Sequence, residues 1–212
     1  MELQGKIINF MGDSITEGCG TTEWEVNRFS SIIEREFGLC KANNYGICAT
    51  CIAVRHVPSP IERENRSFCT RVDEMDENAD AVVVFGGTND FGHGDADIGS
   101  FEDRTTDTFY GSCHTLMLNL INRYPGKQIV FITPLHREYE INLKGQPLEL
   151  FVNIIKEVAK YYSIPVLDLY AESGIQPCVP IIKERFCPDG LHPNDAGHII
   201  LADKISKFLL RL

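Results

Sequence analysis

The sequence predicts an α/β fold, because short apolar runs alternate along the chain with longer segments of helical periodicity. Residues 6–11 are mostly apolar, rich in β-branched side chains and followed by Gly12, a pattern typical of a buried strand that leads into a tight turn. Residues 81–85 form a second such run, ended by Gly86 and Gly87. Ligands of open α/β sheets bind outside the carboxyl ends of the strands, so the turns after these strands are candidate functional sites.

The remaining elements follow from the same two periodicities. Strands are predicted at residues 40–45, 128–132 and 164–169, and helices at residues 28–37, 68–75, 108–124, 148–162 and 194–212. Residues 15–25 and 91–103 are polar and glycine-containing, so they are predicted to be loops. Because no repeat or linker divides the chain, residues 1–212 are expected to form one domain.

Ser14 is the first candidate catalytic residue. It stands in Gly12-Asp13-Ser14, directly after the first strand, so its hydroxyl is presented at a strand end. A serine hydroxyl becomes an effective nucleophile only when a base removes its proton. The same residue types also form ordinary turns and helix N-caps, so this stretch alone leaves both interpretations open.

The C-terminal part of the chain supplies a candidate base. Asp189 precedes His192 by three residues, and Gly190 allows a turn that can bring the carboxylate to the imidazole. Pro193 disfavours the helical conformation for His192, and Asn194 is typical of the N-cap of a closing helix. The alternative is a plain turn that carries an exposed histidine.

Two further turns offer hydrogen-bond donors for the negative charge that develops on a carbonyl oxygen during acyl transfer. Asn89 follows the strand at residues 81–85 and carries a side-chain amide, and Gly46 offers a backbone N–H beside which no side chain obstructs a substrate. Both residues are also common in ordinary loops. A phosphate- or nucleotide-binding loop at residues 86–89 is a rival interpretation, but no Lys or Arg accompanies it.

Taken together, these blocks resemble the GDSL family of serine hydrolases, also called SGNH hydrolases. The blocks occur in the family's order and span nearly the whole chain: Gly12-Asp13-Ser14, Gly46, Gly87-Thr88-Asn89-Asp90 and Asp189-Gly190-Leu191-His192. The resemblance implies that Ser14 is the nucleophile. It also implies that His192 is the general base and then the general acid, and that Asp189 orients the imidazole.

The resemblance further implies an oxyanion hole and a fold. The hole would consist of the Ser14 N–H, the Gly46 N–H and the Asn89 side-chain amide, with Asp13 in a supporting position. The implied fold is a three-layer α/β/α sandwich around a parallel, flavodoxin-like sheet of about five strands. One departure concerns the loop after Gly46, where the family often has a second glycine three residues later and this chain has Ala49.

The implied activity is that of a serine esterase or acylhydrolase that forms an acyl-enzyme and needs no metal or organic cofactor. Short-chain carboxylic esters, among them acetyl esters of carbohydrates, are favoured over lipids because the chain has no long apolar lid sequence. The alternatives are a lysophospholipase, a thioesterase and a non-catalytic domain that binds a carbohydrate or acyl ligand. The expected partner is thus a small-molecule or carbohydrate ester.

Composition and charge exclude several other classes. The chain is 43% hydrophobic and 24% charged, as in an ordinary globular domain, and its formal net charge of −10 argues against a nucleic-acid partner. No apolar run reaches membrane-spanning length and no signal-peptide pattern opens the sequence, so no membrane partner and a cytoplasmic location are expected. The polar residues 137–147 are predicted to form a flap over the pocket or a contact in a homo-oligomer.

Eight cysteines without a secretion signal are expected to be reduced structural thiols. Cys48 and Cys51 form a C-x-x-C pair, but neither a redox nor a zinc interpretation has the context it needs. A narrower hypothesis is that oxidation of Cys48, two residues from Gly46, impairs the oxyanion hole. Asp95 and Asp97 invite a calcium interpretation, but the required twelve-residue loop is absent, so no metal is expected.

Three other side chains are candidates for contact with a substrate. Trp24, the only tryptophan, lies in the loop after Ser14, where it lines the pocket or caps the edge of the core. His136 and Arg137 leave the sheet on the same side as Ser14, and a solvated loop is the alternative for both.

Overall fold

A five-stranded parallel sheet forms the centre of the molecule in a computed structural model that describes residues 1–212. Its strands are β1 (Ile7–Gly12), β2 (Lys41–Gly46), β3 (Ala81–Phe85), β4 (Gln128–Ile132) and β5 (Val166–Leu167). All neighbouring strands pair in parallel, in the order β2-β1-β3-β4-β5. The order reverses direction between β1 and β3, and such a switch point is where an open α/β sheet binds its ligand.

Nine helices surround the sheet. They are α1 (Ser14–Glu17), α2 (Trp24–Asn27), α3 (Phe29–Phe37), α4 (Thr88–His93), α5 (Phe109–Arg123), α6 (Leu148–Tyr161), α7 (Leu169–Glu172), α8 (Pro180–Phe186) and α9 (Asp195–Arg211). The four longest, α3, α5, α6 and α9, confirm the helices predicted at those positions. None of the nine is long and apolar enough to cross a lipid bilayer.

The core consists of two clusters, one on each face of the sheet. Along β3, Val82 and Val84 point into the cluster that α5 and α6 cover, whereas Val83 and Phe85 point into the cluster that α3 and α9 cover. Both faces of this central strand are therefore buried, as in other parallel sheets. The arrangement confirms the predicted three-layer α/β/α fold.

The prediction of a helix at residues 68–75 is wrong. The segment forms two 3₁₀ turns, Phe68–Thr70 and Val72–Glu74, which are separated by Arg71. The apolar residues keep helical spacing and are buried, but Arg71 turns inward to bind backbone carbonyls of the sheet. These long-range contacts override the local helical pattern, because a regular helix presents only its apolar face to the core.

Residues 15–25 and 91–103 are more regular than predicted. The Asp13 side chain accepts a hydrogen bond of 3.0 Å from the Ile15 N–H and so starts α1, which Gly18 caps at the C-terminal end with φ at 118°. Helix α4 likewise extends to His93, into the segment predicted to be a loop. Both loops therefore begin with a short helix directly after a strand.

Strand β5 is shorter than the predicted strand at residues 164–169. The Asp168 side chain accepts a hydrogen bond of 3.2 Å from the Ala171 N–H, which begins α7 and ends the strand. The proline-rich passage after α7 contains the unpredicted helix α8, which has Pro180 as its first residue. Proline is well tolerated there because the first turn of a helix leaves its N–H groups unbonded.

Candidate active site

The candidate site lies where β1 and β3 end, at the switch point of the sheet. Ser14 is the first residue of α1 and is 5% exposed, and Asn89 is the second residue of α4 and is also 5% exposed. The His192 side chain, from the loop before α9, is 23% exposed. Two strand ends and one distant loop therefore meet at this place.

A chain of hydrogen bonds joins Ser14, His192 and Asp189. The Ser14 Oγ lies 3.0 Å from the His192 Nε2, and the His192 Nδ1 lies 2.7 Å from the Asp189 Oδ2. The other carboxylate oxygen of Asp189 accepts hydrogen bonds of 2.8 and 2.6 Å from the N–H groups of Leu191 and His192. The structure thus brings together the three residues that the sequence proposed as nucleophile, base and orienting carboxylate.

The loop that carries His192 is held on several sides. Gly190 has φ at 77° and donates a hydrogen bond of 2.9 Å to the Cys187 carbonyl, while its own carbonyl accepts one of 2.9 Å from the Glu138 N–H. The side chain of Asn194 caps α9 by accepting from Gly197 at 3.1 Å, as the sequence predicted. These contacts limit the orientations of the imidazole.

The charge of Asp189 is stabilised within this loop. Burial favours the neutral carboxyl, but the hydrogen bonds from the His192 N–H, the imidazole and the Leu191 N–H together hold the pKa of Asp189 below its usual value. Asp189 is therefore ionised at neutral pH and can stabilise an imidazolium.

Two other carboxyl groups near Ser14 have pKa values that are raised, in contrast to that of Asp189. Burial raises the pKa of Asp13 to about 7, and the hydrogen bond from Ile15 only partly compensates. Burial likewise raises the pKa of Asp90 to about 6, although this carboxylate accepts hydrogen bonds of 2.9 Å from the N–H groups of both Ile52 and Ala53. Asp90 therefore fixes the segment that follows β2 against the start of α4, a role that its sequence position did not reveal.

The geometry does not support the expected role of Gly46. Its N–H donates a hydrogen bond of 2.9 Å to the side chain of Asn44, two residues earlier. A Cβ atom at this position would lie 2.2 Å from the Glu17 nitrogen, so Gly46 is needed for close packing of β2 against α1. Its N–H is therefore already paired, and this corrects the assignment made from the sequence.

Ala49 and Ser14 have backbone N–H groups without a partner in the protein. Ala49 has φ at 62°, a left-handed conformation that is rare for a residue with a side chain. One hydrogen of the Asn89 amide binds the Thr50 carbonyl at 3.0 Å, and its second hydrogen has no protein acceptor. One feature of the sequence points to Ala49 as a functional residue. It lies three residues after Gly46, where related sequences often have glycine.

Cys48 lies beside Cys19 rather than Cys51. The Cys19 and Cys48 Sγ atoms are 2.9 Å apart, whereas Cys51 is buried and 2% exposed. The hydrogen bond from Cys48 lowers the pKa of Cys19, while the same contact raises the pKa of Cys48. The Cys48 N–H also donates a hydrogen bond of 2.6 Å to Glu17, so the loop after β2 is attached to α1 at two points.

Of the three other residues predicted to contact a substrate, Arg137 contacts helix α4 of this site. Trp24 is 42% exposed on α2, so it does not cap the core. The His136 Nδ1 lies 2.6 Å from the Glu140 carboxylate, and Arg137 donates a hydrogen bond of 2.8 Å to the Thr88 carbonyl. Arg137 is thereby fixed against the first residue of α4.

Comparisons with known proteins agree with this fold. One solved crystal structure is 32% identical with a TM-score of 0.89, and the match covers 100% of this chain and 99% of the other. A protein from Lactobacillus plantarum is 28% identical with a TM-score of 0.86, over 98% of both chains. An acetyl xylan esterase from Geobacillus stearothermophilus has the same fold, with 18% identity and a TM-score of 0.64 over 98% of this chain and 96% of its own.

No curated protein matches the chain. The family model of GDSL-like lipases and acylhydrolases matches residues 10–200, which is most of the sequence. The chain therefore belongs to the GDSL-like lipase/acylhydrolase family.

Proposed function

We propose that the protein is a serine esterase that cleaves short-chain carboxylic esters through an acyl-enzyme. The observation that carries the proposal is the hydrogen-bonded chain from the Ser14 hydroxyl through His192 to Asp189, with distances of 3.0 and 2.7 Å. A nucleophile, a base and a group that orients the base are the three parts that covalent acyl transfer requires. A domain that only binds a carbohydrate or acyl ligand has no need of this pairing.

In the proposed mechanism, the Ser14 Oγ attacks the ester carbonyl while the His192 Nε2 takes the hydroxyl proton. Asp189 stabilises the resulting imidazolium through its hydrogen bond to Nδ1. The tetrahedral intermediate collapses, the bond to the alcohol oxygen breaks, and His192 gives its proton to that oxygen. A water molecule then repeats the sequence on the acyl-enzyme, releases the acid and restores Ser14.

The oxyanion of this reaction needs preorganised donors. We assign them as the N–H groups of Ser14 and Ala49 and the side-chain amide of Asn89, because each has a hydrogen without a protein acceptor. Ala49 replaces Gly46, whose N–H is bound to Asn44. The left-handed backbone of Ala49 supports this assignment, since unusual backbone conformations concentrate at functional sites.

The substrate that we favour has a short acyl group, and acetyl esters of carbohydrates are included. The fold shared with an acetyl xylan esterase supports this choice, although the identity is only 18%. Lysophospholipase and thioesterase activities remain the alternatives within the same mechanism. The mechanism itself uses no metal or organic cofactor.

The first test is hydrolysis of p-nitrophenyl esters of increasing acyl length by the wild type and by Ser14→Ala. We expect turnover to be fastest for acetate and to be abolished in Ser14→Ala, which retains its fold by circular dichroism. Ser100→Ala is the matched control, because Ser100 is an exposed serine in a loop and should leave turnover unchanged. Normal turnover by Ser14→Ala would reject the nucleophile, and a maximum at long chains would favour the lipid alternative.

A further inference from the structure

Arg71 is the largest fully buried side chain that has a charge, with 2% of its surface exposed. None of the ion pairs in the molecule includes it. Burial lowers the pKa of Arg71 to about 10, so the guanidinium is still charged at neutral pH. Because a buried cation without a carboxylate partner is destabilising, other contacts must compensate it.

The compensating contacts lie at the ends of two strands. One terminal nitrogen of Arg71 donates to the Tyr45 carbonyl at 2.6 Å, near the end of β2. The other donates to the Gly12 carbonyl at 3.0 Å, at the end of β1, and to the Thr50 hydroxyl at 3.2 Å. The guanidinium carbon also lies 4.9 Å from the centre of the Phe68 ring, which packs against the cation.

Two of these contacts lie within two residues of a proposed oxyanion donor. Gly12 is two residues before Ser14, and Thr50 directly follows Ala49. The Thr50 carbonyl, in turn, accepts the 3.0 Å hydrogen bond from the Asn89 amide. One guanidinium therefore connects the segments that carry all three donors.

We propose that Arg71 is a positioning residue that holds these three donors in the arrangement that the oxyanion requires. It does so through Gly12, Tyr45 and Thr50 and does not touch the substrate. Its positive charge, which is not part of a direct ion pair, also stabilises the negative charge that develops on the carbonyl oxygen. The inference rests on the proposed function, because it concerns the transition state of that reaction.

Stabilisation of the oxyanion depends on the placement of its donors. Oxyanion donors act at about 2.7–3.1 Å from the developing charge, and a displacement of about 1 Å lowers a rate by about 10²-fold. Lysine in place of Arg71 keeps the charge but cannot bind three acceptors with a rigid planar fork. Methionine keeps most of the length and removes both charge and donors.

The test compares Arg71→Lys, Arg71→Met and Thr50→Val with wild type on p-nitrophenyl acetate. We expect kcat to fall by about 10²-fold in Arg71→Met and by about tenfold in Arg71→Lys and Thr50→Val, with KM nearly unchanged. Rates are normalised to the native fraction measured by circular dichroism, so a loss of folded protein does not count as a loss of kcat. Arg66→Met is the control, because Arg66 is exposed and pairs only with Glu74.

Thr50→Val is the deciding variant if Arg71→Met and Arg71→Lys do not fold, since it leaves the contacts of Arg71 to the strands. It removes the contact of Arg71 to the oxyanion loop, together with the 2.7 Å hydrogen bond that the Thr50 hydroxyl donates to the Ile47 carbonyl. Wild-type kcat in a folded Arg71→Lys or in Thr50→Val would overturn the positioning role. Failure of the proposed function is recognised separately, because the wild type would then neither hydrolyse the ester nor react with a fluorophosphonate at Ser14.

Discussion

At the scale of single residues, the reactivity of Ser14 depends on how firmly His192 is oriented. Asp189 binds the ring at 2.7 Å and the backbone N–H of the same residue at 2.6 Å, so one carboxylate fixes both the imidazole and its attachment to the chain. Because Nδ1 donates to a carboxylate, Nε2 is left without a proton and can accept one from Ser14.

Asp189→Asn should lower kcat by about 10⁴-fold, because an amide NH₂ facing Nδ1 favours the tautomer with its proton on Nε2. The free energy of unfolding should also fall at neutral pH, because the lowered pKa of Asp189 means that the folded state favours the carboxylate, which asparagine lacks. Steady-state kinetics on p-nitrophenyl acetate measures the effect. Asp73→Asn is the control, since that side chain is 97% exposed, and a wild-type kcat in Asp189→Asn would contradict the role of the carboxylate.

Asp13 is a buried carboxyl group whose pKa is raised, whereas that of Asp189 is lowered. It is 2% exposed, and its pKa of about 7 exceeds the value of 3.8 expected for an unfolded chain. Between these values the folded state binds more protons than the unfolded state, so this group lowers the free energy of unfolding as the pH rises from about 4 to 7. The loss is complete above the higher pKa.

Asp13→Asn should therefore raise the free energy of unfolding at pH 8 and change it little at pH 4. The asparagine oxygen can still accept the hydrogen bond from Ile15, and the gain at pH 8 is about 1.4 kcal/mol for each pKa unit of the original shift. Urea unfolding at both pH values measures it. A gain of the same size at pH 4 and pH 8 would show that protonation of Asp13 is not coupled to folding.

At the scale of elements, the junction between α1 and the loop after β2 is the most closely connected part of the site. Cys19 follows α1, Cys48 lies in the loop beside Ala49, and their Sγ atoms are 2.9 Å apart. The pKa of Cys19 is lowered by the hydrogen bond from Cys48, so a larger fraction of Cys19 is thiolate. Oxidation of this pair would act directly on a segment that carries a proposed donor.

Mild hydrogen peroxide should lower turnover of the wild type. The Cys19 thiolate attacks one peroxide oxygen and breaks the O–O bond, which gives a sulfenic acid and hydroxide. The Cys48 thiol then attacks the sulfenic sulfur, which forms the disulfide and releases water. Cys48→Ser should resist the loss, while Cys40→Ser, which changes an exposed cysteine elsewhere, should remain sensitive. Unchanged wild-type activity after peroxide, with the disulfide detected by mass spectrometry, would exclude an effect on the oxyanion loop.

Among the elements, sequence patterns predict most helices and strands correctly and fail at residues 68–75. Helices and strands with a strong apolar periodicity were predicted within one or two residues, because their burial is decided locally. Residues 68–75 also have helical spacing, but the segment forms 3₁₀ turns because Arg71 binds carbonyls of β1 and β2. Such contacts join residues far apart in sequence, and no local pattern encodes them.

At the scale of the whole molecule, the site depends on the approach of the two ends of the chain. Ser14 and His192 are separated by 178 positions, and the turn after α1 packs directly on the loop before α9. A Cβ atom on Gly20 would lie 2.4 Å from the Pro193 carbonyl oxygen and 3.0 Å from the His192 Cβ. Gly20 therefore permits the contact between the ends.

Gly20→Ala should reduce kcat by about tenfold or more, because the added methyl group displaces the His192 loop from Ser14. Gly126→Ala is a matched control. Both glycines have positive φ, of 95° and 73°, but a Cβ at Gly126 has no neighbour within 4 Å. Both variants should lose about 1–2 kcal/mol of stability from the left-handed backbone, and only Gly20→Ala should lose activity. Equal activity in the two variants would contradict the displacement.

The overall fold was predictable from the sequence, and so were the positions of Ser14, Asp189 and His192, because each lies in a short motif beside a strand end or a helix start. The sequence marks Ala49 only as a departure from the family pattern. The pairing of Gly46 with Asn44 and of Cys48 with Cys19 was not predictable. These contacts depend on side-chain directions in the folded chain, which spacing alone does not define.

The most direct test of the pairing of Ser14 with His192 is covalent modification by a fluorophosphonate. Mass spectrometry measures the site and the rate of modification in the wild type and in His192→Ala. We predict one adduct, on the peptide that contains Ser14, formed at least about 10²-fold more slowly in His192→Ala. An adduct on a different residue, or equal rates in the two proteins, would contradict the pairing of Ser14 with His192.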